Sequence, residues 1–330
     1  MLLKLFVCLV GIFQLTAFYA AAFDFSPFRV RNLSPTVLVR TQATAEPARL
    51  VAPGDYKAYV DFDLANHATI NSSADEQIYL DGETLVGTLG LRRGLGERFQ
   101  IGFDLPWVMH DKGSLDGFIS DWHDFFGFPS GDRDQLPENE LAFRYQRDNE
   151  ELFDLDQAVD GLGDLRLHLA WQLVDSKPTA TALHFSLKVP TGDADKMTGS
   201  EGWGASFSLA HDRRILLEDG ATAAFWGGVG GSWMEDGEVL AEQAENWAAN
   251  VWLGAGWSPK DWFAFKVQLD SQTALYDSDL AELGDPAVIL TLGGTVALGK
   301  QTCLDLSVAE DLVVNAAPDV TFHLGLSHFF

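Results

Sequence analysis

Tyr56-Lys57-Ala58-Tyr59-Val60-Asp61-Phe62-Asp63-Leu64 is the stretch that decides the fold. Tyr56, Ala58, Val60, Phe62 and Leu64 fall on one side, and Lys57, Tyr59, Asp61 and Asp63 on the other. Strict period 2 is the mark of a β-strand, whose successive side chains point to opposite faces. The pattern returns along the chain. It is carried by Leu85 to Leu91, Phe99 to Leu105, Leu165 to Trp171, Leu183 to Val189 and Ala205 to Leu209. It continues through residues 221–233, 247–257, 263–270, 288–298, 304–308 and 320–326. That makes twelve strands, of which the Gly- and Ala-rich 221–233, 247–257 and 288–298 are the least fixed in register.

Two architectures can use such alternation. A soluble sandwich hides the apolar face; a membrane barrel turns it to lipid and keeps the polar face in its lumen. The polar faces carry full charges, which suits a hydrated lumen. Connections alternate short (92–97, 258–261, 299–302) and long (111–164, 191–202, 277–286), as periplasmic turns and outer loops do. The chain ends on an aromatic-tipped strand, with Leu326, Leu324 and Phe322 at alternate positions back from Phe330. The barrel-assembly machinery of Gram-negative bacteria recognises termini of this kind, so Phe330 is the candidate insertion signal. The expected fold is all-β: a transmembrane antiparallel up-and-down barrel of about 12 strands, monomeric, in the outer membrane. Trp107, Trp203, Trp233, Trp257, Trp262 and Phe329 are expected at its two interfaces.

The composition agrees. Of 330 residues, 47% are hydrophobic and 21% charged, too apolar for a disordered chain, and the net charge of −26 repels nucleic acid. Two cysteines, Cys8 and Cys303, exclude a disulfide framework. Residues 1–22 read as a secretory signal peptide, with Lys4 as its positive region, Leu5 to Phe13 as its core and Ala20 to Ala22 as its cleavage site. The division expected is signal peptide 1–22, an N-terminal periplasmic or lumenal segment 23–53, and the barrel 54–330, with 111–164 as a long acidic outer loop.

Several stretches are familiar. Arg29-Val-Arg-Asn-Leu-Ser-Pro35, Leu80-Asp-Gly-Glu-Thr84, Leu115-Asp-Gly-Phe-Ile119, Trp122-His-Asp-Phe-Phe-Gly127, Gly161-Leu-Gly-Asp-Leu-Arg-Leu167 and Leu187-Lys-Val-Pro-Thr-Gly-Asp193 carry the likeness. Over nearly its whole mature length the chain resembles a domain-of-unknown-function family of Gram-negative outer-membrane barrels. The last two stretches also look like the phenol meta-pathway outer-membrane proteins. The resemblance implies a fold and a compartment, without an activity.

The loop 111–164 holds 15 acidic residues against 4 basic ones. Within it Leu115, Ile119, Trp122, Phe125 and Phe126 recur at helical spacing, so a short amphipathic helix is expected, as a plug in the barrel mouth or as an interface element. The lumen-lining candidates are Lys57, Asp61, Arg166, His168, His184, Lys188, Lys266, Asp270, Asp305 and His323. Mixed charges can line a narrow pore or pair across it and close it. His184 and Ser186 are spaced like the His-x-Ser pair of the outer-membrane phospholipase, yet Leu183, Phe185 and Leu187 claim the lipid face and leave that pair in the lumen. Catalysis is therefore not expected, nor is a metal site, for neither an EF-hand spacing nor a zinc spacing is present. No cofactor is expected. The expected partners are outer-membrane lipid, lipopolysaccharide, the assembly machinery and a small hydrophobic solute. The leading reading is passage of a small, aromatic or lipid-like solute; the alternatives are a lipid-modifying enzyme and a structural or surface-binding barrel.

Overall fold

A strand with one wet and one apolar face still needs a neighbour on each edge. The computed structural model, which describes residues 25–126, 133–313 and 315–330, supplies both for every spanning strand. β1 (Tyr56–Ser72) pairs with β2 (Glu76–Leu95), which pairs with β3 (Phe99–Asp111). The sheet continues through β7 (Leu165–Asp175), β8 (Thr179–Val189), β9 (Gly204–Leu216), β10 (Thr222–Met234), β11 (Trp247–Lys260) and β12 (Phe263–Gln272). β13 (Ala287–Ala297), β14 (Thr302–Asp311) and β15 (Val320–Phe329) bring it back to β1. All pairings are antiparallel, and twelve strands close the barrel. The seam is locked at its end, where Tyr56 and Phe330 exchange backbone hydrogen bonds of 2.8 and 3.0 Å and stack their rings 5.4 Å apart. The proposed signal peptide lies outside the described residues.

The long loop holds more than a helix. β4 (Ala142–Arg147) pairs with the outer end of β2 and carries β5 (Glu150–Leu155), while β6 (Val159–Leu162) covers the outer end of β3 beyond β7. β2 is 20 residues long, against the roughly 9–11 that a membrane strand needs, so its outer part stands above the bilayer.

The outward face is apolar all round. Leu253 is 62% exposed, and Leu89, Ile101, Leu167, Phe185, Phe207, Phe265, Leu292 and Leu306 are open beside it. That belt is the surface a bilayer covers. Trp107, Trp203, Trp233 and Trp247 are exposed toward the outer ends of the strands, and Trp171, Trp257 and Trp262 toward the periplasmic ends. Phe329 departs from this expectation. It stands opposite Lys57 on the inward parity and takes the Lys57 ammonium 5.0 Å from its ring centre, so it faces the periplasmic mouth.

Inward glycines explain the segments of loose register. A Cβ at Gly228 would come within 2.1 Å of the Trp252 ring, and one at Gly254 within 2.1 Å of Trp226. These two glycines make room for two indoles that fill that side of the lumen. With no edge left open among the twelve spanning strands, detergent alone should not unfold the barrel. Unboiled and boiled samples are expected to migrate differently on a denaturing gel, and identical migration would overturn the closed sheet.

The amphipathic helix forms as α2 (Asp116–Phe126), after a single turn α1 (Pro35–Leu38) and before another, α3 (Ala281–Gly284). It is not in the lumen. Glu83 and Asn66 sit on the outward parity of β2 and β1. Glu83 Oε1 accepts from the amides of Ser114 and Leu115 (2.9 and 2.7 Å), and Asn66 Nδ2 donates to Asp116 (3.0 Å). Arg133 joins this anchor through Asp116, Asn66 and Asp319. Phe118 lies 6.3 Å from Phe322, which also points outward. α2 therefore rides on the outer wall near the rim. Leu115 is half-buried, Ile119 is buried against the wall, and Phe125 is 81% exposed. The side chains of Trp122 and Phe126 lie outside the described residues. The plug expectation fails because amphipathicity reports two faces and not the compartment that each one meets.

Candidate functional site

What fills the lumen is the chain's own residues 25–53, which rise from the periplasmic half, turn at α1 beneath the outer loops and descend to β1. This strap has no sheet partner along most of its length, so side chains of the wall satisfy its backbone. Gln268 accepts from the Phe28 amide and donates to the Phe28 carbonyl, both at 2.9 Å. Gln172 does the same between Ala48 O (2.7 Å) and Leu50 N (3.0 Å). Gln100 accepts from Val51 N at 2.9 Å, and His184 Nε2 bonds to Pro47 O at 3.0 Å. Lys266 Nζ donates to Ser26 O at 3.1 Å, and Asn250 Nδ2 to Ala43 O at 2.5 Å.

At the apex, Arg40 is wholly buried and donates to three outer-loop carbonyls, Glu235 (3.0 Å), Asp236 (2.6 Å) and Glu245 (2.9 Å). Val37 and Val39 enter one apolar cluster with Ile78, Leu80, Phe143, Tyr145, Met197, Met234 and Tyr276. This cluster seals the outer mouth. Above the belt, Glu76 ties the β2 tip to the loop before β13. Burial alone would raise its carboxyl, but hydrogen bonds from Ser278, Tyr145 and the Asp279 amide, with Arg147 nearby, hold it below the usual range.

All ten lumen candidates lie on the inward face, and most are paired. Asp61 accepts from Arg29 of the strap at 3.0 and 2.5 Å. Asp305 takes Lys266 at 2.8 Å, and His323 takes Asp63 at 2.6 Å. Lys188 meets Asp164 at 2.5 Å. Asp270 accepts from Gln268, and His168 Nε2 bonds to Asp104 at 3.0 Å. Asp104 is the centre of the densest cluster, accepting also from the Tyr59 hydroxyl and from Arg92 at 2.7 and 3.2 Å. Gly90 makes this possible, since a Cβ there would fall 2.0 Å from the Tyr59 ring. Lys57 lies lower, at the periplasmic mouth.

Sequence reasoning missed Asp104, Arg92 and the three glutamines. Their signal was present: Gln100, Gln172 and Gln268 are neutral amides on the inward parity, where bare backbone has to be met.

The space left is divided. A vestibule of about 400 Å³ opens below the strap, lined by Arg49, Lys57, Tyr59, Arg92, Cys303 and Phe329 among others. A smaller cavity of about 50 Å³ lies higher, between the strap and β1, β3, β7, β8 and β9.

The architecture has solved counterparts. The COG4313 outer membrane channel from Pseudomonas putida F1 is similar at TM-score 0.56 and 14% identity, over 86% of this chain and 98% of that one. The β domain of the Bordetella autotransporter BrkA reaches TM-score 0.43 at 13% identity, over 85% and 100%. The Pseudomonas putida toluene transporter TodX reaches 0.38 at 10%, over 96% and 98%. The first shows the fold, a closed antiparallel β-barrel; the other two are too distant to carry an argument. No curated protein matches. A family model described as "Protein of unknown function (DUF3187)" matches residues 3–330, nearly the whole chain, and the chain belongs to that family.

Proposed function

We propose that the chain is a gated outer-membrane channel for a small solute, closed in the form described here by residues 25–53. The observation that carries this reading is how the strap is held. Here the bore is charged, and the strap is seated on glutamines, a histidine and a lysine through hydrogen bonds that water can replace at a net cost of only about 0.5–1.5 kcal/mol each. The structurally similar Pseudomonas protein is itself described as a channel. A polar bore suits a hydrophilic solute. An aromatic or lipid-like one finds a second route in the apolar groove on the outer wall, about 630 Å³, between Phe62, Leu64, Leu85, Leu292, Leu306 and Phe322. Catalysis has no part in this reading, because His184 is committed to Pro47 O.

Cys303 gives the test. It lines the vestibule, and the chain's other cysteine, Cys8, falls within the expected signal peptide. A charged methanethiosulfonate added to the periplasmic side of a planar bilayer is expected to alter the unitary conductance. Cys303→Ser should remove that response while conducting as before. Silence of the intact barrel at all voltages, or conductance indifferent to modification, would overturn the proposal.

A further inference from the structure

Two cations on the strap and the wall share one cavity without an ion pair of their own. Arg31, on the ascending limb, has its Nη1 buried with no acceptor. Arg166, on the inward face of β7, makes no hydrogen bond or ion pair among the described residues. The two guanidinium groups line the same cavity of about 50 Å³ and repel one another. The carboxylates that act on Arg166 are engaged elsewhere, Asp104 by Arg92 and Asp164 by Lys188. Of the cavity's other acids, Asp61 is held by Arg29 and Asp63 by His323, while Glu46 makes no hydrogen bond or ion pair among the described residues and its charge acts on His184 and Arg92 rather than on Arg166. Two like charges sharing a site away from bulk water are costly, and an anion between them removes the cost.

Shape and size narrow the class. Guanidinium forks match the oxygens of phosphate, sulfate or carboxylate in pairs. One water-sized sphere needs about 10–15 Å³, so the cavity admits a group of three or four oxygens. Gln42 and Thr44 of the strap and Ser186 and Ser206 of the wall supply further polar groups around it.

We propose that Arg31 and Arg166 form a binding site for a small oxyanion, enclosed between the strap and the barrel wall. The site goes beyond the channel reading and does not require conduction. The anion joins the strap to β7 and so completes the strap's seating.

The test uses the folded full-length barrel in detergent at constant ionic strength. Sulfate, inorganic phosphate and benzoate are titrated separately by calorimetry, with chloride as the balancing ion. Saturable uptake of one sulfate or phosphate per chain is expected, with none of benzoate, whose ring exceeds the cavity. Arg31→Gln and Arg166→Gln should each weaken uptake at least tenfold, while Lys300→Gln in the vestibule should leave it unchanged. Heat-modified migration confirms that each variant is folded, and Arg166→Lys, which keeps the charge, should retain part of the affinity. The proposal is overturned by three results: no saturable uptake in the intact barrel, uptake that survives both glutamine substitutions, or equal uptake of benzoate. A silent bilayer recording would overturn the channel and leave this site standing.

Discussion

A barrel lacking residues 25–53 is expected to conduct steadily, with unitary conductance higher by roughly an order of magnitude, since a lumen of this strand number is otherwise wide enough to hold water. Two losses produce this result. Along the bore, Gln100, Gln172, Gln268, His184 and Lys266 lose the backbone groups they hold and become hydrated wall. At the outer mouth the apolar seal loses Val37 and Val39, and three loop carbonyls lose the Arg40 guanidinium. Each unanswered buried carbonyl costs about 1–3 kcal/mol, so the loops no longer gain by closing over the bore. The measurement is single-channel recording of the deletion beside the intact barrel, with gel migration as proof of folding. A folded deletion that conducts no better would mean that the outer loops close the bore unaided.

The second large effect is on stability. Asp104→Ala is expected to cost about 3–5 kcal/mol, because it leaves Arg92 buried without its counter-charge. Arg92 is 5% exposed and would keep only the carbonyl oxygens of Leu91 and Phe103 as hydrogen-bond acceptors, with the Tyr59 ring 5.3 Å away and the Glu46 charge acting without a bond. Tyr59 and His168 lose an acceptor in the same step. Urea unfolding in lipid vesicles measures the difference. Replacing both partners, Asp104→Leu with Arg92→Met, should recover much of the loss, since the cost comes from the stranded charge. An alanine variant as stable as the parent would show that water reaches Arg92 freely.

The wall of this barrel can be read from its sequence. In the spanning strands the two faces meet different solvents, so parity assigns their residues, from Lys57 in β1 to Phe329 in β15, except at the register shifts near Gln172 and Trp257. β4, β5 and β6 escape that reading: they are short, they stand above the bilayer, and Glu150 to Leu155 shows no alternation. The strap escapes it for a deeper reason. Its apolar and charged residues follow no period, because each is chosen by the particular wall group opposite, Phe28 by Gln268 or Arg29 by Asp61. A contact specified by a partner some 240 positions away leaves no local pattern. α2 lies between these cases, with its faces legible and its side of the wall not.

The strap enters and leaves the bore at the same end. Phe25 packs with Trp226 and Ala264 in the periplasmic half, and Pro53 bridges to Gly94 beside a periplasmic turn. A segment laid in this way is a bight, like a doubled rope pushed into a pipe. It makes no link with the ring of strands around it, and no chain end has to pass through the ring to free it. The β1–β15 seam can therefore close before the strap is seated, and the whole stopper can be drawn out and returned without one strand of the barrel parting from its neighbour.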